Sequence, residues 1–164
     1  MLYGIVWLLL IELIGISTFV VLLKFFKAIP DKGYSISKPL GILSLSLVTW
    51  LLSFSKVIPV TETTAILLLV VLVACSTLIA LIKWRLIKQL VKHNYRIILL
   101  TEAVFLLTYV VFFSIRYFDP GINHTEQPMD FAFLNASINT TSGQPVDPWF
   151  KGEHISYYYF GYWI

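Results

Sequence analysis

Charge is scarce in this sequence. Only 13% of its residues are Asp, Glu, Lys or Arg while 58% are hydrophobic, and soluble globular domains run nearer a quarter charged and half apolar. With a mean hydropathy of +0.81, the composition excludes a soluble domain and defines an all-α integral membrane protein embedded in a lipid bilayer. Cysteine is nearly missing as well. The lone Cys75 lies inside an apolar run, so the chain can build neither an internal disulfide framework nor a thiolate zinc site. The formal net charge of +3 makes no case for nucleic acid, because the basic residues collect in short segments between apolar runs, as cytoplasmic loops beside lipid headgroups do. Internal repeats and low-complexity linkers are also lacking.

Long apolar runs are what the chain has. A crossing needs about 20 mostly apolar residues at about 1.5 Å each. Four segments qualify, 2–23, 40–58, 63–82 and 97–115. The first is no signal peptide: no basic residue precedes it, it is too long, and no small-residue cleavage site follows. Pro39 is expected in the first turn of the second helix, where its missing N–H costs nothing. Lys24, Lys27, Lys32 and Lys38 follow the first run, and Lys83, Arg85, Lys88, Lys92 and Arg96 follow the third. Both segments are therefore expected in the cytoplasm. The segment after the second run offers only Lys56 against Glu62 and is expected outside, together with the amino terminus.

By alternation everything after residue 115 emerges on the outer face. Residues 116–156 form the one long polar stretch, with sequons at Asn123, Asn135 and Asn139 that agree with a non-cytoplasmic side. Residues 157–164 read as the start of a fifth helix. An apolar run of that length cannot cross a bilayer, so the chain is expected to be a fragment cut short at its carboxyl end.

Two acids fall inside the apolar runs. At the bilayer centre an ionised Glu12 would cost about 2.5–3.5 kcal/mol, so it is expected to be protonated, paired or facing a wet interior. Glu102 lies only a turn or two inside the cytoplasmic end of the fourth run and can reach water or a basic loop residue.

The outer segment has its own chemistry. Pro120, Pro128, Pro145 and Pro148 each restrict the backbone, which predicts an ordered loop, and ordered loops of this length usually serve function. The stretch "MDFAFLNA" predicts a short amphipathic helix on the membrane surface, with Met129, Phe133 and Ala136 on one face and Asp130 elsewhere. Glu126 and Asp130 stand four apart and share a face if that helix reaches back far enough to put Pro128 in its first turn. Two neighbouring carboxylates repel, and a shared divalent cation, a proton or a basic partner relieves them. The plain alternative is a solvated acidic edge. His124 is a candidate third ligand. Asp147, before Pro148, can close a turn. Trp149, Tyr157, Tyr158 and Tyr159 either anchor the chain at the interface or offer flat faces to sugars and lipid chains.

Arg116, Asp119-Pro120, Glu126, Pro128-Met129-Asp130-Phe131, Leu134-Asn135, Asp147-Pro148-Trp149, Gly152, Tyr157-Tyr158-Tyr159-Phe160 and Gly161 stand in order and at close spacing. This pattern resembles the archaeal and Chloroflexi-type "YYY" membrane proteins, a family named for its tyrosine triplet and described as of unknown function. The resemblance covers about the last third of the chain. Gln127 departs from it, standing where a lysine is expected, which puts a basic contact there in doubt. That family in turn looks like the C-type glycosyltransferases, polytopic enzymes that use sugars carried on polyprenyl phosphate and act on the outer face. The resemblance implies that Asp119, Glu126 or Asp130 is the catalytic acid or base, and that Glu126 and Asp130 hold a divalent cation, Mg or Mn. It implies substrate contacts at Arg116, suited to a phosphate, and at Asn135, Asp147, Trp149, Tyr157, Tyr158 and Tyr159. The competing class is a non-enzymatic scaffold or transporter module, with the functional weight on Glu12 and the helix interfaces. Oligomeric state is not legible.

Overall fold

The computed structural model describes residues 2–26 and 28–164, so Lys27, counted above among the cytoplasmic charges, lies outside the described residues. The described chain is helical: α1 (Leu2–Leu22), α2 (Tyr34–Ser55), α3 (Glu62–Phe118), α4 (Gln127–Ile138) and α5 (Phe160–Trp163). Among the described residues there is no strand, only an isolated bridge between Val146 and His154. The all-α membrane class expected from composition is the class observed. α1, α2 and α3 are each long and apolar enough to cross a membrane. The chain divides into two units, Met1–Ile42 with Leu69–Asp119, and Leu43–Leu68 with Pro120–Ile164.

In the first unit α2 starts six residues earlier than the expected position 40. Asp31 is the reason. It is buried and accepts from the Gly33 and Ser35 backbone N–H groups at 3.1 and 2.7 Å, while its own carbonyl accepts from Tyr34 N. These bonds satisfy amides that a helix start leaves unpaired. Burial pushes the Asp31 carboxyl up, but the bonds from Ser35 and Gly33 outweigh it and hold the group below its ordinary value. Pro39 consequently lies inside α2 and not in its first turn.

The early start also takes Lys38 out of the loop. It is a buried residue of α2, 8% exposed, with its ammonium 3.2 Å from Glu12 and paired with Glu102. Tyr34 donates to Glu102 at 2.6 Å, and the Phe105 ring lies 4.5 Å from the Lys38 nitrogen. Glu12 is thus paired with an ammonium, and Glu102 reaches a basic side chain as expected, though one within a helix. Lys38 serves both carboxylates, so removing it costs about 3–5 kcal/mol, because the two acids are left without their cation.

The expected third and fourth runs lie on one helix. Across the 57 residues of α3 only Lys83 and Asn94 leave helical geometry. A straight helix of that length would reach roughly 85 Å, yet both of its halves flank α1, itself about 32 Å long. Ile79, Ala80, Ile87 and Leu90 pack on Phe19, Val20 and Leu23; Glu102 meets Glu12 through Lys38; Tyr109 donates to the Gly4 carbonyl at 2.6 Å. α3 therefore bends back at Lys83 and Asn94. The charged stretch between them stays helical because it contains no Gly or Pro and is amphipathic: Ile87 and Leu90 turn inward while Arg85, Lys88 and Lys92 are exposed.

Candidate functional site

The second unit gathers most of the acidic and aromatic residues singled out above. Thr125 takes a positive φ of 37°, and the chain then starts α4 with Glu126 at its N-cap and Pro128 in the first turn, where proline is tolerated. Asp130 N donates to the Glu126 carbonyl at 2.9 Å. Two acidic residues therefore stand at the helix end whose partial positive charge favours them.

The buried face of α4 is rotated from the expected one. Phe133 and Ser137 are its buried residues, and Asp130, three positions before Phe133, shares this face and does not point elsewhere. Tyr162 shows it directly, donating to Asp130 Oδ1 at 2.6 Å while its ring lies 5.5 Å from that of Phe133. The i, i+3, i+7 stripe brings 130, 133 and 137 into line. Trp149 meets Phe133 edge-on at 5.1 Å and Tyr157 stacks on it at 6.0 Å. Asp130 thus heads a wall of aromatic rings.

The tyrosine triplet divides its work. Tyr157 and Tyr158 lie ring against ring at 3.8 Å, and the Tyr157 hydroxyl donates to that of Tyr158. That bond, with slight desolvation and the nearby Glu126 and Asp130 carboxylates, pushes the Tyr157 phenol up to about 12. Tyr159 turns the other way, its hydroxyl accepting from Trp50 Nε1 of α2 at 3.2 Å. The Tyr162 phenol is likewise pushed up to about 12, first by its bond to Asp130.

Asp147 closes the turn expected of it, accepting from Trp149 N and Phe150 N at 2.8 and 3.2 Å. Asn135 is half-buried and donates to the Phe131 carbonyl at 2.6 Å. Arg116 and Asp119 belong to the first unit, where Arg116 donates to the Asp119 carbonyl at 3.2 Å. Of the candidate residues, the second unit brings together Asp130, Trp149 and Tyr157 around Phe133, with Glu126 one turn from Asp130. Among the described residues no group of three or more His, Cys, Asp or Glu side chains is gathered as a metal site. Sequence reasoning missed Tyr162, the partner of Asp130, because a tyrosine beside apolar neighbours reads as an interface anchor.

Fold and site define a multi-pass helical membrane protein carrying an ordered acidic and aromatic segment. The chain belongs to the family described as uncharacterized membrane protein (DUF2298), which it matches over residues 44–164. That match takes in all of the second unit but its first residue, Leu43. No curated protein and no solved structure matches the chain.

Proposed function

We propose that this protein is a glycosyltransferase-like enzyme, which moves a sugar from a polyprenyl-phosphate donor to an acceptor hydroxyl on the outer face of the membrane. The observation that carries the reading is Asp130, a carboxylate at the head of α4, held by Tyr162 and bordered by Phe133, Trp149 and Tyr157. Such a group suits a general base, and the rings suit a sugar or a lipid chain. Asp130 takes the proton of the acceptor hydroxyl as its oxygen attacks the anomeric carbon. The bond from that carbon to the phosphate oxygen breaks, the polyprenyl phosphate leaves toward the bilayer, and the anomeric centre inverts. Tyr162 keeps its own proton and fixes the carboxylate.

Within the second unit, Asn135, Asp147 and Tyr158 complete the proposed substrate contacts. Asp119 and Arg116, whose planar fork suits a phosphate, belong to the first unit and stand as separate candidates, one for an acidic role and one for a phosphate. In place of the base role, Asp130 would hold a divalent cation of the Mg or Mn type together with Glu126, one turn away, since such ions commonly take one or two carboxylates from a protein and complete their shell with water and phosphate oxygens. A bound ion there would neutralise the leaving phosphate.

A second reading, a scaffold or transporter module, is favoured by one observation: the Glu12, Lys38 and Glu102 cluster inside the apolar helices, since intramembrane ionisable groups commonly mark pathways. The two readings part on Asp130→Asn. In membranes carrying the native protein, transfer from a polyprenyl-phosphate sugar is expected with wild type and is expected to fall by about a hundredfold or more in the variant, which still inserts and folds. Equal transfer by both removes Asp130 from the mechanism; tolerance of the change with full biological activity favours the second reading.

A further inference from the structure

Ser137 is buried, and its hydroxyl has no hydrogen-bond partner among the described residues. An unpaired buried hydroxyl costs about 1–3 kcal/mol, and buried polar atoms in proteins are almost always satisfied. Ser137 lines a pocket of about 220 Å³ within the second unit, formed by α2, the start of α3, the end of α4 and α5. Thr49, Glu62, Thr140, Tyr162 and Trp163 share its wall.

The pocket is polar in one particular sense. Thr49 and Thr140 commit their hydroxyl hydrogens to the carbonyls of Ser46 and Ala136, at 2.8 and 2.7 Å. Each therefore presents lone pairs, one of those on Thr49 being taken by Trp163 Nε1 at 3.1 Å. Glu62, when ionised, only accepts. Ser137 keeps a free donor, and none of the lining residues is cationic. Several acceptors, a free side-chain donor, two aromatic side chains and no cationic side chain match a neutral molecule rich in hydroxyl donors with an apolar C–H face. They disfavour a phosphate or a carboxylate. The volume lies below the roughly 300–1,000 Å³ of pockets for drug-sized ligands, which suits a single sugar ring.

We infer that this pocket holds one neutral sugar ring, and that the ring belongs to the acceptor, since the phosphate-bearing donor has no cation to meet here. The acceptor role rests on the transfer reading above; sugar binding does not. Tyr162 joins the two places, lining the pocket while donating to Asp130 at 2.6 Å. A hydroxyl of the bound ring is thus set one side chain away from the carboxylate that would take its proton.

The test uses the detergent-solubilised native protein and three probes: the methyl glycosides of glucose, mannose and N-acetylglucosamine, followed by tryptophan fluorescence. At least one is expected to give a saturable change, weakened about tenfold in Ser137→Val and in Thr140→Val, and lost from the signal in Trp163→Phe. Glucose 1-phosphate is expected not to compete. Absence of saturable change with all three probes overturns the inference, as does equal binding by wild type and both valine variants. Normal sugar transfer without neutral-glycoside binding overturns this inference and leaves the enzyme reading standing. Binding without transfer by wild type keeps the pocket as a sugar site and overturns both the acceptor role and the enzyme reading.

Discussion

Asp130 and Tyr162 stand 32 positions apart and meet at 2.6 Å. A tyrosine that donates to a carboxylate resists losing its proton, because the phenolate would face a second negative charge. The folded protein therefore holds this proton more tightly than the unfolded chain does. Below pH about 10 the contact contributes its full stability, and the contribution is lost as pH rises through about 12, the value to which Tyr162 is pushed. In Asp130→Asn the Tyr162 phenol is expected to return toward its ordinary 10.0, read as a difference between the ultraviolet tyrosinate titrations of variant and wild type. Superimposable titrations would contradict the contact.

At this scale the sequence was partly legible. The spacing of Glu126, Pro128 and Asp130 announced a helix start, and Asp147 before Pro148 announced a turn. What could not be read was which side of α4 turns inward, since a rotation of one position trades Ala136 for Ser137 and brings Asp130 along. Ser137 was overlooked for a related reason, because a serine among small residues carries no sign of burial. Lys38 reads as a loop residue because the signal that extends α2, an aspartate four residues before Ser35, depends on a side-chain bond that composition does not display.

Elements meet closely where glycine allows it. A Cβ at Gly41 of α2 would come within 2.4 Å of Thr18 Oγ1 and 2.5 Å of Ile14 Cγ2 on α1, and one at Gly15 within 2.5 Å of Lys38 Cγ. Small residues at crossings let membrane helices pack without the driving force that water supplies. Gly41→Leu is accordingly expected to destabilise the detergent-solubilised protein by about 1–3 kcal/mol, while Gly161→Ala, with open space around its position, leaves the melting temperature unchanged. Equal melting temperatures for the two variants would mean that α1 and α2 are not in tight contact.

The apolar runs of α1 and α2 were plain from hydropathy, since length and apolar content decide them. The continuity of α3 was not, because charge between two apolar runs reads as a loop when its helical amphipathicity is left aside. A hydropathy window also cannot see the bends at Lys83 and Asn94, which depend on backbone angles.

Across the molecule, among its described residues, exposed large apolar side chains outnumber buried ones, and only 6% of the most apolar stretch of α3 is buried within the chain. Its faces are left to lipid and to other protein surfaces, as expected for helices in a bilayer. The polar chemistry is sorted by segment. Lys83, Arg85, Lys88, Lys92 and Arg96 lie between the two apolar runs of α3, and Asp119, Glu126, Asp130, Asp147 and Glu153 follow its end. A sugar-transfer site of the kind proposed requires the second group to face outward and the first to face the cytoplasm, as the basic excess implies.

Cysteine labelling tests this arrangement most directly. In a Cys75→Ala background, Asn139→Cys and Lys88→Cys, both at exposed positions, are treated in intact cells with a membrane-impermeant maleimide. Labelling of Asn139→Cys in intact cells, with Lys88→Cys labelled only after permeabilisation, is the result expected. Labelling of Lys88→Cys from outside, with Asn139→Cys protected until the membrane is opened, would place the acidic segment in the cytoplasm and contradict the outer-face site.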